Sequence, residues 1–327
     1  MSRVNGNVAR SDETTTVLVI GAGIAGVSCA RRLISGNLSV EVREGTETSG
    51  GRMFAPRLHG RPVDLGASYF TVRYPDFSDI VAHWVKRGLA RGWTESFHAY
   101  APGGETTVSA GPLRYAAPAG LTSLVRDLAA DLPIRYDAPV RRVGPGPTAD
   151  GQPYAAVVLA MPDASALHIL DESLAEERAA VEWDWDPVVA VATGYPDRSW
   201  PFVDGAFVND HPVLSFVADD GARRGDGAPV LVAHSTTAYA RSLGPADDPA
   251  GPMLEALREL VPATPYWVHT HVWPRARPVR GRGDDPTFHL GDAMVGLCGD
   301  SWGSPRVETA WSSGAALGSA LLGRLQA

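Results

Sequence analysis

The chain has 327 residues, 44% of them apolar and 20% charged, the balance of a globular protein long enough for two domains. A net charge of −8 argues against a nucleic-acid-binding surface, and no apolar run approaches the roughly 20 residues that a membrane helix needs. Met1–Thr15 is polar and has no apolar core of a secretory leader, so residues 1–13 are expected to be a disordered tail on a cytoplasmic protein. Cys29 and Cys298, the only cysteines, sit among apolar and small residues and read as buried free thiols.

In chain order, the first element is the apolar run Val17–Ile20, short and β-branched as a buried strand should be. Gly21, Gly23 and Gly26 follow at the G-x-G-x-x-G spacing, with Ile24 and Ala25 opening a helix between them. A second β-branched run, Leu38–Val42, ends just before Glu44. The arrangement has a physical logic. Gly21 permits a tight turn, Gly23 lets backbone approach a pyrophosphate, and Gly26 lets helix and strand pack closely. The helix N-terminus offers free N–H groups to phosphates, and Glu44 is placed to accept from a ribose diol. Strand, glycines, helix, strand and acid together predict dinucleotide binding. Gly51 and Arg52 add flexible backbone and a fixed cation close to that motif.

Asp76–Leu89 reads as an amphipathic helix with Phe77, Ile80, Val81, Trp84 and Val85 on one face. His83 and the single lysine, Lys86, fall off that stripe and are expected to be solvated. Gly92–Tyr115 has the composition of β-hairpins, and Gly120–Leu132 that of a second amphipathic helix. Ala155–Ala160 is a buried-strand pattern, and Ala164–Glu182 is helix-prone. Short apolar runs at Val188–Ala192, Ala206–Val208, Val213–Val217 and Val230–His234 predict an antiparallel sheet, with a helix over Pro252–Leu260. His234 reads as a satisfied core or edge residue. Trp267–Trp273 is a further strand, in which His269 and His271 share a face but have no third partner at metal-ligand spacing, so no metal is expected. Arg275 and Arg277 open a charged loop that either meets a substrate phosphate or is solvated. Met294–Cys298 is a strand, followed by Gly299 and Asp300 at its tip, where ligands bind in Rossmann-like folds. A long helix from about Arg306 to Arg324 carries a small face of Ala310, Gly314, Ala315 and Gly318, suited to close approach by a helix or a flat ligand.

The segments VLVIGAGIAG, VEVREG and GGRM at one end, with GLCGDSWG and VETAWSSGAALGSAL at the other, resemble the FAD-dependent amine oxidase superfamily. Within it, DLGASYFTVRYPDF, GLTSLVRDLA and VHTHVWPRARP are most similar to the renalase-type branch. The resemblance implies an α/β fold. A Rossmann-like FAD-binding domain over 14–75, 116–162 and 265–327 would be joined by a mainly antiparallel substrate domain with helices over 76–115 and 163–264. It implies non-covalent FAD, with Gly21, Gly23 and Gly26 at the pyrophosphate and Glu44 at the adenosine ribose. Gly51 and Arg52 would lie along the pyrophosphate and flavin side, Val140 at the adenine, and Gly299 and Asp300 at the ribityl–phosphate portion. Gly66, Ala67 and Tyr69 would approach the isoalloxazine, and the helix from Val307 would aim its N-terminus at the pyrimidine ring.

The implied chemistry is hydride transfer from a reduced nicotinamide-type or similar planar donor to flavin N5, then reoxidation by dioxygen to hydrogen peroxide. It needs no strong side-chain base, and Tyr69, Trp273 and Trp302 are the candidate cavity walls. Two alternatives remain: an amine oxidase or C–N/C–C dehydrogenase of specialised metabolism, and a flavin- or nucleotide-binding protein without turnover. Larger amine oxidases carry a lysine near flavin N5, whereas Lys86 lies on an early amphipathic helix. Val272 and Pro274 flank Trp273 where the renalase-type pattern has basic and aromatic residues, which shifts the local charge.

Overall fold

The computed structural model describes residues 15–101, 106–182, 184–285 and 287–327. The tail expected over 1–13 lies outside the described residues. Thr16–Ile20 is the central strand of a six-stranded sheet, because Val17, Leu18 and Val19 have no exposed surface on either face. Ser39–Arg43 and Ala156–Leu159 flank it in parallel. Ile134–Arg135 extends one side; Val295–Leu297 and the antiparallel His289–Leu290 extend the other. Alternate residues serve opposite faces. Val17, Val19, Val40, Val42 and Val158 pack under helices Ile24–Ser35, Pro75–Lys86, Leu121–Ala129 and Val307–Leu325. Leu18, Ile20, Val157, Leu159 and Leu297 pack under the short helices Asp163–Ile169 and Ala175–Ala180.

The second sheet has seven strands, in the order Trp267–Pro278, Trp185–Gly194, Val230–Ser235, Leu214–Asp219, Gly205–Val208, Arg91–Tyr100, Thr106–Ala116. Every pairing is antiparallel except that of Gly205–Val208 with Arg91–Tyr100. One face buries Val189, Val191, Val217 and Leu231 under helix Gly251–Leu260. The other faces the segment carrying Phe54, Val63, Leu65 and Tyr69. The fold is therefore α/β, with a Rossmann-like sheet and a mainly antiparallel second sheet.

Three parts of the expected domain division need correction. Trp267–Pro278 pairs with Trp185–Gly194 along its length and belongs to the second sheet, not with 279–327. Phe77, Val81 and Trp84 bury into the core of the first sheet, as do Ala166, Leu170, Leu174 and Val181. Apolar periodicity shows that a helix has a face to bury but not which sheet receives it. The Gly92–Tyr115 region is one long hairpin, and the 164–182 helix is split in two by a turn. Val85 is 44% exposed, off the face that packs. His83 and Lys86 are exposed, as expected.

The C-terminal helix lies against the first helix at backbone contact. A Cβ built on Gly314 would stand 2.0 Å from the Ala25 carbonyl oxygen, and one on Gly318 would stand 2.9 Å from Arg32 Cβ. The Ser28 hydroxyl donates to the Trp311 carbonyl at 2.8 Å across the same contact. The small face thus serves helix–helix packing. Cys29 and Cys298 are buried free thiols; burial pushes Cys29 up to about 12 and Cys298 well above the usual range.

This contact generates a matched pair of substitutions. Gly314→Ala forces a methyl into backbone and is expected to cost about 1–3 kcal/mol or more. Gly323→Ala, in the same helix with nothing within 4 Å, is expected to stabilise by about 0.5–1 kcal/mol. Urea unfolding of the two variants against the parent chain checks both signs.

Candidate active site

A cavity of about 1760 Å³ runs from the carboxyl ends of the parallel strands to the inner face of the second sheet. Ile20, Gly21, Glu44, Ala160 and Gly299 line it at the strand ends, the position at which open α/β sheets bind ligands. Gly21 has φ +105°, and a Cβ there would meet the Ala160 carbonyl oxygen at 2.5 Å. Gly23 caps the first helix with no side-chain acceptor, so the first-turn N–H groups stay open to an anion. A Cβ on Gly23 would meet only Gly51 Cα, at 4.0 Å, so bare backbone borders the cavity there. Gly26 does not line the cavity. Its hydrogen side sits against Gly21, where a Cβ would stand 1.9 Å from the carbonyl oxygen, so its role is packing.

Glu44 is held by the turn it serves. Its Oε2 accepts from Ala22 N at 2.7 Å, and its Oε1 accepts from Thr46 N at 3.0 Å and the Thr46 hydroxyl at 2.9 Å. Across the cavity, Arg52 donates both Nη atoms to Asp300, at 2.8 and 2.6 Å, and Nη1 also reaches the Ala276 carbonyl at 3.0 Å. Burial works against the Arg52 charge, but the neighbouring Asp300 carboxylate overrides it and keeps the guanidinium pKa above its usual value. Asp300 opens a turn held by Asp163, which accepts from the Ser301 hydroxyl at 2.8 Å and from Arg282 at 3.1 Å. The N-terminus of the Val307–Leu325 helix reaches the same space through Val307 and Ala310. Its Glu308 turns aside to accept from Arg73 N and Tyr74 N at 2.8–3.0 Å.

A buried ion network fixes the strip from Asp64 to Tyr69. Arg224 reaches Asp64 and Asp220 at 2.9 Å each, Arg61 reaches Asp220 at 2.6 Å, and Arg223 pairs with Asp220 and donates to the Ser68 carbonyl at 3.0 Å. Burial works against the Asp220 charge, yet its arginine neighbours outweigh it and hold the carboxyl at about 2. For Asp64, burial prevails over Arg224 and Arg223 and lifts the carboxyl above its usual range. A Cβ on Gly66 would stand 1.9 Å from the Arg52 carbonyl oxygen, so only glycine fits where this strip crosses the Gly51–Arg52 turn.

Of the residues expected at the site, Gly21, Gly23, Ile24, Ala25, Glu44, Gly51, Arg52, Gly66, Ala67, Tyr69, Val140, Trp273, Gly299, Asp300 and Val307 all line this one cavity. Trp302 does not. It is 5% exposed in the core beneath the Arg282 guanidinium, 3.8 Å from its ring centre, because its turn folds back on the first sheet. Arg275 and Arg277 line the cavity, with Arg277 paired to Asp186 at 3.1 Å.

The far end of the cavity is aromatic. Tyr69 lies 5.6 Å from Phe97 and 6.2 Å from Phe216 between ring centres, and Trp273 anchors its indole N–H on the Leu65 carbonyl at 2.8 Å. Two residues there escaped the sequence reading. Arg114 is 6% exposed, and its Nη1 has no hydrogen-bond partner. His234, expected to be satisfied, has an unpartnered Nε2 and lines the cavity. No sequence signal marks Arg114: Leu113 beside it is 37% exposed, and the strand buries the arginine in its place. Burial, helped by the Arg223 charge, lowers His234 to about 4, against an opposing backbone hydrogen bond at Leu65. Burial also lowers His271, so both rings are neutral near pH 7.

Residues 19–84 match a family model described as an NAD(P)-binding Rossmann-like domain. Polyamine oxidase 3 of Oryza sativa subsp. japonica is 40% identical over 63 residues, 19% of this chain and 13% of that protein, so the match spans a small part of the relative. Cyclohexylamine oxidase from Brevibacterium oxydans superposes with a TM-score of 0.72 at 15% identity, over 96% of this chain and 100% of that one. Putrescine oxidase bound to putrescine gives 0.70 at 14% identity, over 95% and 99%. The chain has the fold of these amine oxidases.

The depressed His234 pKa carries a pH signature. The ring stays neutral in the folded chain and protonates more readily when unfolded, so its stabilisation is present above pH 6.5 and is lost as pH falls toward about 4. His234→Gln is therefore expected to lose less stability than the parent chain over that window. The gap should close by up to about 1.4 kcal/mol per pH unit in urea-unfolding titrations.

Proposed function

We propose that the chain binds FAD non-covalently along this cavity and is an FAD-dependent oxidoreductase taking a hydride from a reduced nicotinamide-type or similar planar donor. The observation that carries the reading is the convergence of both chain ends on one cavity. Gly21, Gly23, Glu44 and Gly51 come from one end; Gly299, Asp300 and Val307 come from the other. The bare backbone between Gly23 and Gly51 and the uncapped first helix suit a pyrophosphate. Glu44, already fixed by Ala22 and Thr46, keeps one lone pair on Oε2 for a ribose hydroxyl. Neither cysteine lines the cavity, which fits a cofactor held without a thioether.

The chemistry supplied by the bound cofactor is hydride acceptance, with dioxygen as final acceptor and hydrogen peroxide as product. The chain's own residues do the positioning. The helix from Val307 aims its positive end into the cavity and favours negative charge there. The Arg52–Asp300 pair fixes two cavity walls with a bidentate contact. Tyr69 and Trp273 offer flat walls that orient a planar donor and exclude water. His234 and His271 are uncharged near pH 7 and supply no imidazolium acid there, consistent with a step that needs no side-chain acid.

The second reading, an amine oxidase, is favoured by the fold shared with cyclohexylamine oxidase and putrescine oxidase. Against it, the single lysine, Lys86, ends the Pro75–Lys86 helix, exposed and away from the cavity lining.

Two measurements follow. Asp300→Ala and Glu44→Ala are expected to purify with lowered FAD occupancy; full occupancy in both removes the site assignment. Anaerobic mixing of the flavin-loaded protein with borohydride-treated NAD(P)⁺ is expected to bleach the flavin absorbance within a turnover. Bleaching by amines and not by dinucleotides selects the amine oxidase reading instead.

A further inference from the structure

We infer that the aromatic end of the cavity is a recognition site for a single carboxylate, read by Arg114, so that the donor is a planar ring acid and not a cationic amine. The inference rests on the reading of this cavity as a donor site and, among the planar donors that reading allows, favours a ring acid over a ring carboxamide such as reduced nicotinamide. Three arginines are buried among the described residues: Arg114, Arg223 and Arg224. Arg223 and Arg224 contact Asp64 and Asp220. Arg114 has no ion-pair or hydrogen-bond partner for its guanidinium among the described residues, and its Nη1 is sealed from solvent. Its neighbours are rings. The guanidinium lies 4.2 Å from the centre of Phe97 and 5.5 Å from that of Tyr69.

Cation–π attraction recovers less than a buried cation loses in leaving water, so the side chain is short of an anion. It lines the cavity, as do Tyr69, Phe216 and His234 with its unpartnered Nε2. The charge balance limits what fits. One buried guanidinium compensates one negative charge, and its planar fork matches the two oxygens of a carboxylate. His234 is uncharged near pH 7 and adds a hydrogen bond but no second cation. A phosphate dianion would bring a second, uncompensated charge. An ammonium would meet Arg114 head-on in a low-dielectric space, which is the wrong sign for a putrescine-like donor. A neutral carboxamide would leave the buried cation as it is. Tyr69 and Phe216 supply flat apolar surface for the ring that bears the acid.

Benzoate, its neutral isostere benzamide, and phenylphosphonate separate these cases. Binding to the flavin-loaded protein is followed by flavin absorbance, and binding to the chain, loaded or not, by calorimetry. Benzoate is expected to bind at least about tenfold more tightly than either analogue, as charge-assisted hydrogen bonding implies. Arg114→Gln is expected to remove that preference while leaving benzamide unchanged, with Arg114→Lys intermediate. Equal binding of benzoate and benzamide by the parent chain overturns the inference, as does undetectable benzoate binding at millimolar concentration. Preference for phenylphosphonate, or undiminished benzoate binding by Arg114→Gln, overturns it too. Failure of flavin uptake would sink the donor-site reading and leave the calorimetric comparison to judge Arg114 by itself.

Discussion

Two helices meet at backbone contact only where neither places a side chain at the crossing, and this molecule is built around such a meeting. Gly314 and Gly318 of the C-terminal helix lie against Ala25, Cys29 and Arg32 of the first helix, closer than any Cβ would permit. Because the two helices are locked side by side, the start of each opens on the same cavity, through Ile24 and Ala25 in one and Val307 and Ala310 in the other. The Arg52–Asp300 pair ties the same two regions a second time. The helix contact is steric and tolerates no volume. The ion pair is directional and sets orientation.

The molecule uses buried charge in two ways. In the cluster of Arg61, Asp64, Asp220, Arg223 and Arg224, cations and carboxylates satisfy one another, and the result holds a loop in place. Such clusters are weak as net stabilisers but costly to break, so they fix one arrangement of the strip from Asp64 to Tyr69 that borders the cavity. Arg114, beside Tyr69 at the end of that strip, has no such partner among the described residues. Within one protein, the cluster pairs each buried cation with a carboxylate, and Arg114 has no such ion pair among the described residues.

The six-stranded Rossmann-like sheet was legible because its demands are local. Gly21 must take a positive φ, Gly26 must let a strand and helix touch, and Glu44 must follow the second strand; each leaves a mark at fixed spacing. The strand before Asp300 and the helix from Val307 were legible for the same reason. Elements whose partners are distant in sequence were not. Phe77, Val81 and Trp84 repeat with helical period, which reveals a buried face but not that it serves the first sheet. Trp267–Pro278 reads as a strand without showing that it joins the second sheet. Trp302 follows a cofactor motif yet folds under Arg282 into the core. Arg114 lay in a hairpin rich in Gly, Pro and Thr, and only its inward position in the strand distinguishes it from a solvated arginine.

The central claim is that both chain ends grip one extended cofactor, the first end its adenosine half and the last its flavin half. Titration of cofactor-free protein with FAD and with FMN, followed by flavin fluorescence, tests it most directly. The account predicts one FAD per chain, and FMN binding weaker by at least about a hundredfold, since the loss of the Glu44, Gly21 and Gly23 contacts removes about 3 kcal/mol or more. Equal affinity for the two flavins, or uptake of neither, would contradict it.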